Sequence, residues 1–205
     1  MLVFWDQRLV FLATPKAGST AVETALESLA EVVVQRPPVL KHTPVYRYRR
    51  FVQPYLEKSA GGARFTVVAL MREPVAWLGS WYRFRQRDDV MSPQNSTQGL
   101  SFDEFVAGYL EKPRPAFANV GSQARFLLGP DGNGADHIFC YEAIDRFTAF
   151  LEDRLGYAVT LPRVNVSPEA ETRLSPALEA ALRRACAEDF ALYDRVRGGS
   201  APLPG

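Results

Sequence analysis

The sequence predicts an α/β protein: a single domain with a parallel central sheet flanked by helices. Three observations carry this. Strand-like and helix-like segments alternate along the chain. The main strands are unbroken apolar runs, which suits strands buried on both faces. Turn residues at the strand ends open helices rather than hairpins. The length of 205 residues suits one domain with a full-sized core.

The elements follow in order. Arg8 to Ala13, "RLVFLA", is a short β-branched and aromatic run that ends in a turn signal, and is expected as a strand. Ser19 to Leu29 places Val22, Ala25, Leu26 and Leu29 at helical spacing. "EVVVQ" is expected as a second short strand, and "RPPVLKHTP" as a loop broken by three prolines. Thr43-Pro44 matches an N-cap followed by Pro at the first helical position, with a helix to about Lys58. Ala63 to Met71 is the strongest strand, and the helix after it opens at Pro74. Residues 88–100 are polar and expected as a mobile loop. Ser101 and Glu104 have capping-box spacing. "HIFCYE" is expected as a strand, and "AIDRFTAFLEDRLG" as a helix with a glycine stop. One last helix runs from Ser175-Pro176 to about Val196. The domain spans residues 1–197, and 198–205 form a loose tail.

Composition narrows the function. The net charge is +1, so no overall field points to nucleic acid or an anionic membrane. Any anion site must be local. Lysine occurs only at Lys16, Lys41, Lys58 and Lys112. Two cysteines, Cys140 and Cys186, make neither a disulfide framework nor a zinc set; a reducing, cytoplasmic setting is the expectation. "MLVFWDQR" lacks the basic and apolar regions of a signal peptide. The longest apolar run, Phe65 to Met71, falls far short of the ~20 residues a membrane span needs. No metal-ligand spacing appears, so no metal is expected.

Two motifs stand where strands are expected to end, which is where ligands bind in α/β sheets. The first is "TPKAGST", Thr14 to Thr20, between a strand and a helix. Such a loop presents unpaired N–H groups and the positive end of a helix dipole to an anion. Gly18 allows close backbone approach, Ser19 and Thr20 can cap the helix and donate hydroxyls, and Lys16 adds positive charge. It is not a Walker A loop, because Lys16 precedes the only Gly. An ordinary capped turn is the simpler interpretation of a lone "GST". In the second motif, Arg72 follows a strand, Pro74 opens a helix and Ser80 lies about two turns in. An Arg fork and a hydroxyl suit a phosphate. Two anion sites on one sheet edge suit a ligand with two separated phosphates.

With these residues the sequence resembles the sulfotransferases that use 3′-phosphoadenosine 5′-phosphosulfate (PAPS), and among them the bacterial carbohydrate-type members. In that family a Pro-Lys-x-Gly-[Ser/Thr] loop holds the 5′-phosphosulfate, and an Arg followed eight residues on by a Ser holds the 3′-phosphate. "LPRVNVSP", Leu161 to Pro168, is similar to the family's late loop near the nucleotide. The resemblance implies the P-loop-like sulfotransferase fold and places PAPS on Pro15, Lys16, Ala17, Gly18, Ser19, Thr20, Arg72 and Ser80. It makes Lys16 the cation at the leaving group. It also implies a base between the two motifs, where His42 stands; Glu73 is the alternative. His137 is expected to be structural. The acceptor would be a carbohydrate or another small molecule with a hydroxyl. Lys41 could supplement Lys16 or meet an anionic acceptor. The basic runs Arg47, Arg49, Arg50 and Arg83, Arg85, Arg87 could line a cleft for an acidic sugar or sulfated glycan, or simply face solvent. Of Trp77, Trp81, Tyr82 and Phe84, most are expected to be core, and one could stack on adenine or a sugar. Two other readings stay open: a P-loop-type small-molecule kinase, against which the early lysine speaks, and a nucleotide-binding protein without catalysis.

Overall fold

A computed structural model describes residues 1–87, 92–129, 132–162 and 170–199. Five strands form one sheet: β1 (Leu2–Phe4), β2 (Leu9–Leu12), β3 (Val32–Val33), β4 (Thr66–Met71) and β5 (His137–Cys140), in the order β3-β1-β2-β4-β5. β2, β4 and β5 are parallel, with Leu9 opposite Thr66 and Val68 opposite His137. β1 runs antiparallel to both β2 and β3. The sheet is therefore mixed, not wholly parallel. β1 was not anticipated, because "LVF" is too short to show a period. It folds back on β2 across the turn at Arg8, whose φ is +52°.

The helices in chain order are α1 (Ser19–Leu26), α2 (Pro38–Lys41), α3 (Val45–Arg47), α4 (Gln53–Ser59), α5 (Pro74–Arg85), α6 (Phe102–Leu110), α7 (Gln123–Leu127), α8 (Ile144–Leu155), α9 (Pro176–Ala185) and α10 (Ala187–Arg197). A π-helical segment, Tyr48–Val52, joins α3 to α4. Side-chain alternation divides the sheet's two faces. Val10, Leu12, Val67 and Ala69 pack with Val45, Tyr48, Leu56 and Leu192. Leu9, Phe11, Val68 and Leu70 pack with Val22, Leu26, Phe147 and Leu151. A third cluster stands outside the sheet, where Trp77, Leu78 and Tyr82 of α5 meet Phe102, Phe105 and Val106 of α6.

Several expectations change in detail. Thr43 does not cap a helix: its hydroxyl donates to the Leu40 carbonyl at 2.7 Å, and Pro44 stands at the N-cap. The proline-rich loop contains α2, with Pro38 at a first-turn position. The last helix is two, broken at Cys186. The break lets Leu182 and Phe190 enter the outer cluster while Leu192 and Tyr193 enter the sheet's core. The capping box at Ser101 and Glu104 forms as expected, and Gly156 ends α8 in the left-handed region. Among the described residues no helix is long and apolar enough to cross a membrane. Residues 88–91 of the polar loop, 163–169 of the "LPRVNVSP" region and 200–205 of the tail lie outside the described residues.

Candidate anion site at the sheet's carboxyl edge

Because β2, β4 and β5 are parallel, their carboxyl ends share one edge of the sheet. The loop Thr14 to Gly18 leaves β2, Arg72 leaves β4 and Tyr141 leaves β5. The two predicted motifs thus lie on neighbouring strands, with a third residue beside them.

The loop is held tightly. The Trp77 indole N–H donates to the Pro15 carbonyl at 2.9 Å, tying α5 to the loop. Lys16 has φ +61° and Gly18 φ +80°. Gly18 is the N-cap of α1, and no side chain caps that helix start. The hydroxyls of Ser19 and Thr20 therefore do not serve as the expected cap. The helix keeps its positive end available to an anion.

The Lys16 ammonium rests 3.0 Å from the ring centroid of Phe84 and 5.1 Å from that of Trp81. These rings meet edge to face. Burial, then the positive charges of Arg87, Arg85 and Lys41, lower the Lys16 pKa to about 7. Trp77 and Tyr82 are core, while Trp81 and Phe84 form the bed on which Lys16 lies.

Arg72 is fixed through its backbone. Its N–H donates to Gln123 Oε1 at 2.9 Å, and its carbonyl accepts from Gln123 Nε2 at 2.8 Å. Its guanidinium stands 4.9 Å from the Tyr141 ring centroid. Arg83 lies close enough for the Arg72 charge to help lower its pKa, after burial. Arg83 also donates to the Thr172 hydroxyl at 3.3 Å. Ser80 is buried on α5.

Tyr141 is the residue sequence reasoning missed. A Cβ added at Gly18 would sit 2.6 Å from Tyr141 Cε2. The same ring that covers Gly18 carries Arg72, so it spans both motifs. The only sequence signal was an aromatic directly after a strand, which is too common to single out.

Four buried side-chain polar atoms among the described residues have no hydrogen-bond partner: Thr14 Oγ1, Arg72 Nε, Trp81 Nε1 and Tyr48 Oη. The first three belong to the elements of this edge. Buried polar atoms without partners are uncommon. Their concentration here fits a site built to receive an anion.

His42 is brought to the same edge. Its Nδ1 lies 2.6 Å from the carbonyl oxygen of Ala13, the residue after β2. A carbonyl can only accept, so Nδ1 carries the proton and Nε2 keeps its lone pair. Burial is the main cause lowering the His42 pKa, which keeps the ring neutral at pH 7. The Lys41 ammonium pairs with Glu23 on α1 at 2.6 Å, and its charge also reaches Lys16. Glu73 is committed elsewhere, its carboxylate accepting from the Ala76 N–H at the start of α5. His137 packs against Phe150 and Phe139. Arg85 donates to the carbonyls of Ala116 and Asn119, and Arg49 to that of Gly134. No cluster of three or more His, Cys, Asp or Glu able to hold a metal occurs among the described residues.

Comparison of the chain with protein-family models, curated proteins and solved structures finds no match. The chemistry must therefore be argued from these residues.

Proposed function

We propose that the protein is a PAPS-dependent sulfotransferase with a P-loop-like sulfotransferase fold, acting on a hydroxyl of a carbohydrate or other small acceptor. One observation carries the proposal. The Tyr141 ring joins the Gly18 loop to Arg72, so two cationic segments converge on one edge with partnerless polar atoms in both. A nucleotide with phosphates at both ends of its ribose has this charge distribution; a ligand with one anionic group would need only half of it.

In this reading Pro15, Lys16, Ala17, Gly18, Ser19 and Thr20 hold the 5′-phosphosulfate. Arg72 and Ser80 hold the 3′-phosphate. The acceptor hydroxyl attacks sulfur and forms a new S–O bond as the S–O bond to the phosphate breaks. Its proton passes to His42 Nε2. Negative charge grows on the departing phosphate oxygen, where the Lys16 ammonium stabilises it. With its pKa lowered to about 7, Lys16 is partly charged in the free protein at neutral pH, and a phosphosulfate bound beside it favours the charged form.

Titration calorimetry with the product, 3′-phosphoadenosine 5′-phosphate (PAP), against ATP with Mg²⁺ tests the proposal, together with turnover of labelled PAPS over a panel of glycans and phenols. PAP should bind without metal, and label should move to a hydroxyl. Binding of ATP–Mg²⁺ in place of PAP would make the protein a kinase. PAP binding with no transfer to any acceptor, and no change on His42→Asn, would make it a nucleotide-binding protein only.

A further inference from the structure

A second surface lies outside the residues assigned to the anion site. Among the described residues, eight of the ten large hydrophobic side chains that stand exposed fall between Leu29 and Tyr55. They form a connected region. The Met1 nitrogen donates to the Val34 carbonyl at 3.0 Å and the Lys41 carbonyl at 3.3 Å, which draws β3 and α2 together. The Thr43 hydroxyl bonds the Leu40 carbonyl, and the helical stretch from Val45 follows at once. β3, bearing exposed Val32 and Val33, is one of the sheet's two edge strands. Val39 and Leu40 stand exposed on α2.

The stretch 45–59 combines this apolar surface with charge. Phe51 is 65% exposed and Tyr55 72%. Arg47, Arg50 and Lys58 are exposed with them, and no acidic residue is exposed between residues 45 and 59. The Arg47 and Arg50 guanidiniums lie beside the Tyr46 and Phe51 rings. The nearby carboxylates keep their charge but accept from neutral amides: Glu27 from Gln35, Glu31 from the Trp5 N–H and Glu57 from Gln53. Glu27 and Glu31 are exposed beside Leu29 and β3, and not within the stretch 45–59.

We infer that this face docks on an anionic lipid bilayer surface. Exposed aromatics and aliphatics beside arginines suit the headgroup boundary, where rings and methyls enter and cations meet lipid phosphates. Val32, Val33, Val39 and Leu40 offer no ring face to a nucleic-acid base or a sugar. A second copy fits poorly, because a two-fold contact would set the cations of one protomer against those of the other. The net charge of +1 masked this concentration at the level of composition. His42 follows α2 directly, so the docked face borders the acceptor side of the anion site.

Sedimentation of the full chain with phosphatidylcholine vesicles, with and without phosphatidylglycerol, tests this. Binding should require phosphatidylglycerol and weaken as salt rises. Arg47→Gln with Arg50→Gln should weaken it about 25-fold, at roughly fivefold per charge. Phe51→Ser with Tyr55→Ser should also weaken it; circular dichroism checks that the fold is kept. No binding to the anionic vesicles, unchanged binding by both variants, or a dimer that buries this face overturns the inference. The assay uses no nucleotide, so its failure leaves sulfuryl transfer standing, and the failure of sulfuryl transfer leaves it standing.

Discussion

Lys16 is where the chemistry is most exposed to test. A side chain with φ +61° is held in a region that costs an ordinary residue about 1–2 kcal/mol, and here the ammonium is also drawn from water onto two rings. Lys16→Ala should lower turnover about 10²–10³-fold, as loss of one charge-stabilising group does, and change PAP affinity far less. Steady-state kinetics and calorimetry on the same variant separate the two; turnover within a few-fold of the parent removes Lys16 from the chemistry. The pH profile gives a second test. His42 must be neutral to accept a proton, and burial holds its pKa below the ordinary 6.5. Lys16 must be charged, and in the free protein its pKa is about 7. The profile of kcat/KM should therefore rise below pH 6.5 and fall above about 7. In kcat the alkaline fall should move to higher pH, because bound phosphosulfate holds Lys16 protonated. A kcat/KM that climbs steadily past pH 9 excludes this pair of roles.

At the scale of elements, the loop between β2 and α1 works because Tyr141 lies against it. Gly18→Ala meets two obstacles, the left-handed backbone at φ +80° and the ring 2.6 Å from the new Cβ. Destabilisation of about 1–2 kcal/mol is expected from the backbone alone, with weaker PAP binding as the ring shifts. Removing the ring as well, in Gly18→Ala with Tyr141→Ala, should relieve only the steric part; thermal denaturation of both variants gives the split. These same elements show what could be seen in the sequence. β2 and β4 were visible because strands buried on both faces are continuous apolar runs, whereas β5, a half-buried edge strand, showed only as a short run with β-branched and aromatic residues. The positions of Lys16 and Arg72 after β2 and β4, and of Ser80 two turns into α5, were legible because they follow from local order alone. β1 was hidden by its three-residue length. Tyr141 and Gln123 were hidden for another reason: their contacts to Gly18 and Arg72 depend on which strand ends lie side by side, and strand order leaves no local mark. The pairing of Lys41 with Glu23 was hidden for the same reason, since Glu23 belongs to another helix.

Across the whole molecule, the C-terminal helices support a site formed mainly by the first half of the chain. Asp189 of α10 is buried and accepts from the Ala124 N–H at 2.9 Å and from the Ser122 hydroxyl at 3.0 Å. It thereby holds the start of α7, from which Gln123 clamps both backbone groups of Arg72. The route from α10 to the anion site thus passes through one carboxylate and one amide. Asp189→Ala leaves the buried Ala124 N–H partnerless and takes an acceptor from the half-buried Ser122 hydroxyl, at about 1–3 kcal/mol. For a chain of this size that lowers Tm by roughly 2–4 °C per kcal/mol. The same variant should weaken PAP binding, although Asp189 touches no ligand. Asp189→Asn keeps an acceptor oxygen and should be milder in both respects. The sign of the pH effect is also set. Burial, the largest influence, raises the Asp189 pKa above its ordinary 3.8 despite the hydrogen bonds it accepts. The folded state then binds this proton more tightly than the unfolded one. Stability from this group is lost as pH rises from 3.8 through the raised value, and Asp189→Asn should flatten that slope. If Asp189→Ala lowers Tm but leaves PAP affinity intact, α10 supports the fold without reaching Arg72. Loss of both, with partial recovery in Asp189→Asn, shows that Arg72 is positioned from the far end of the chain.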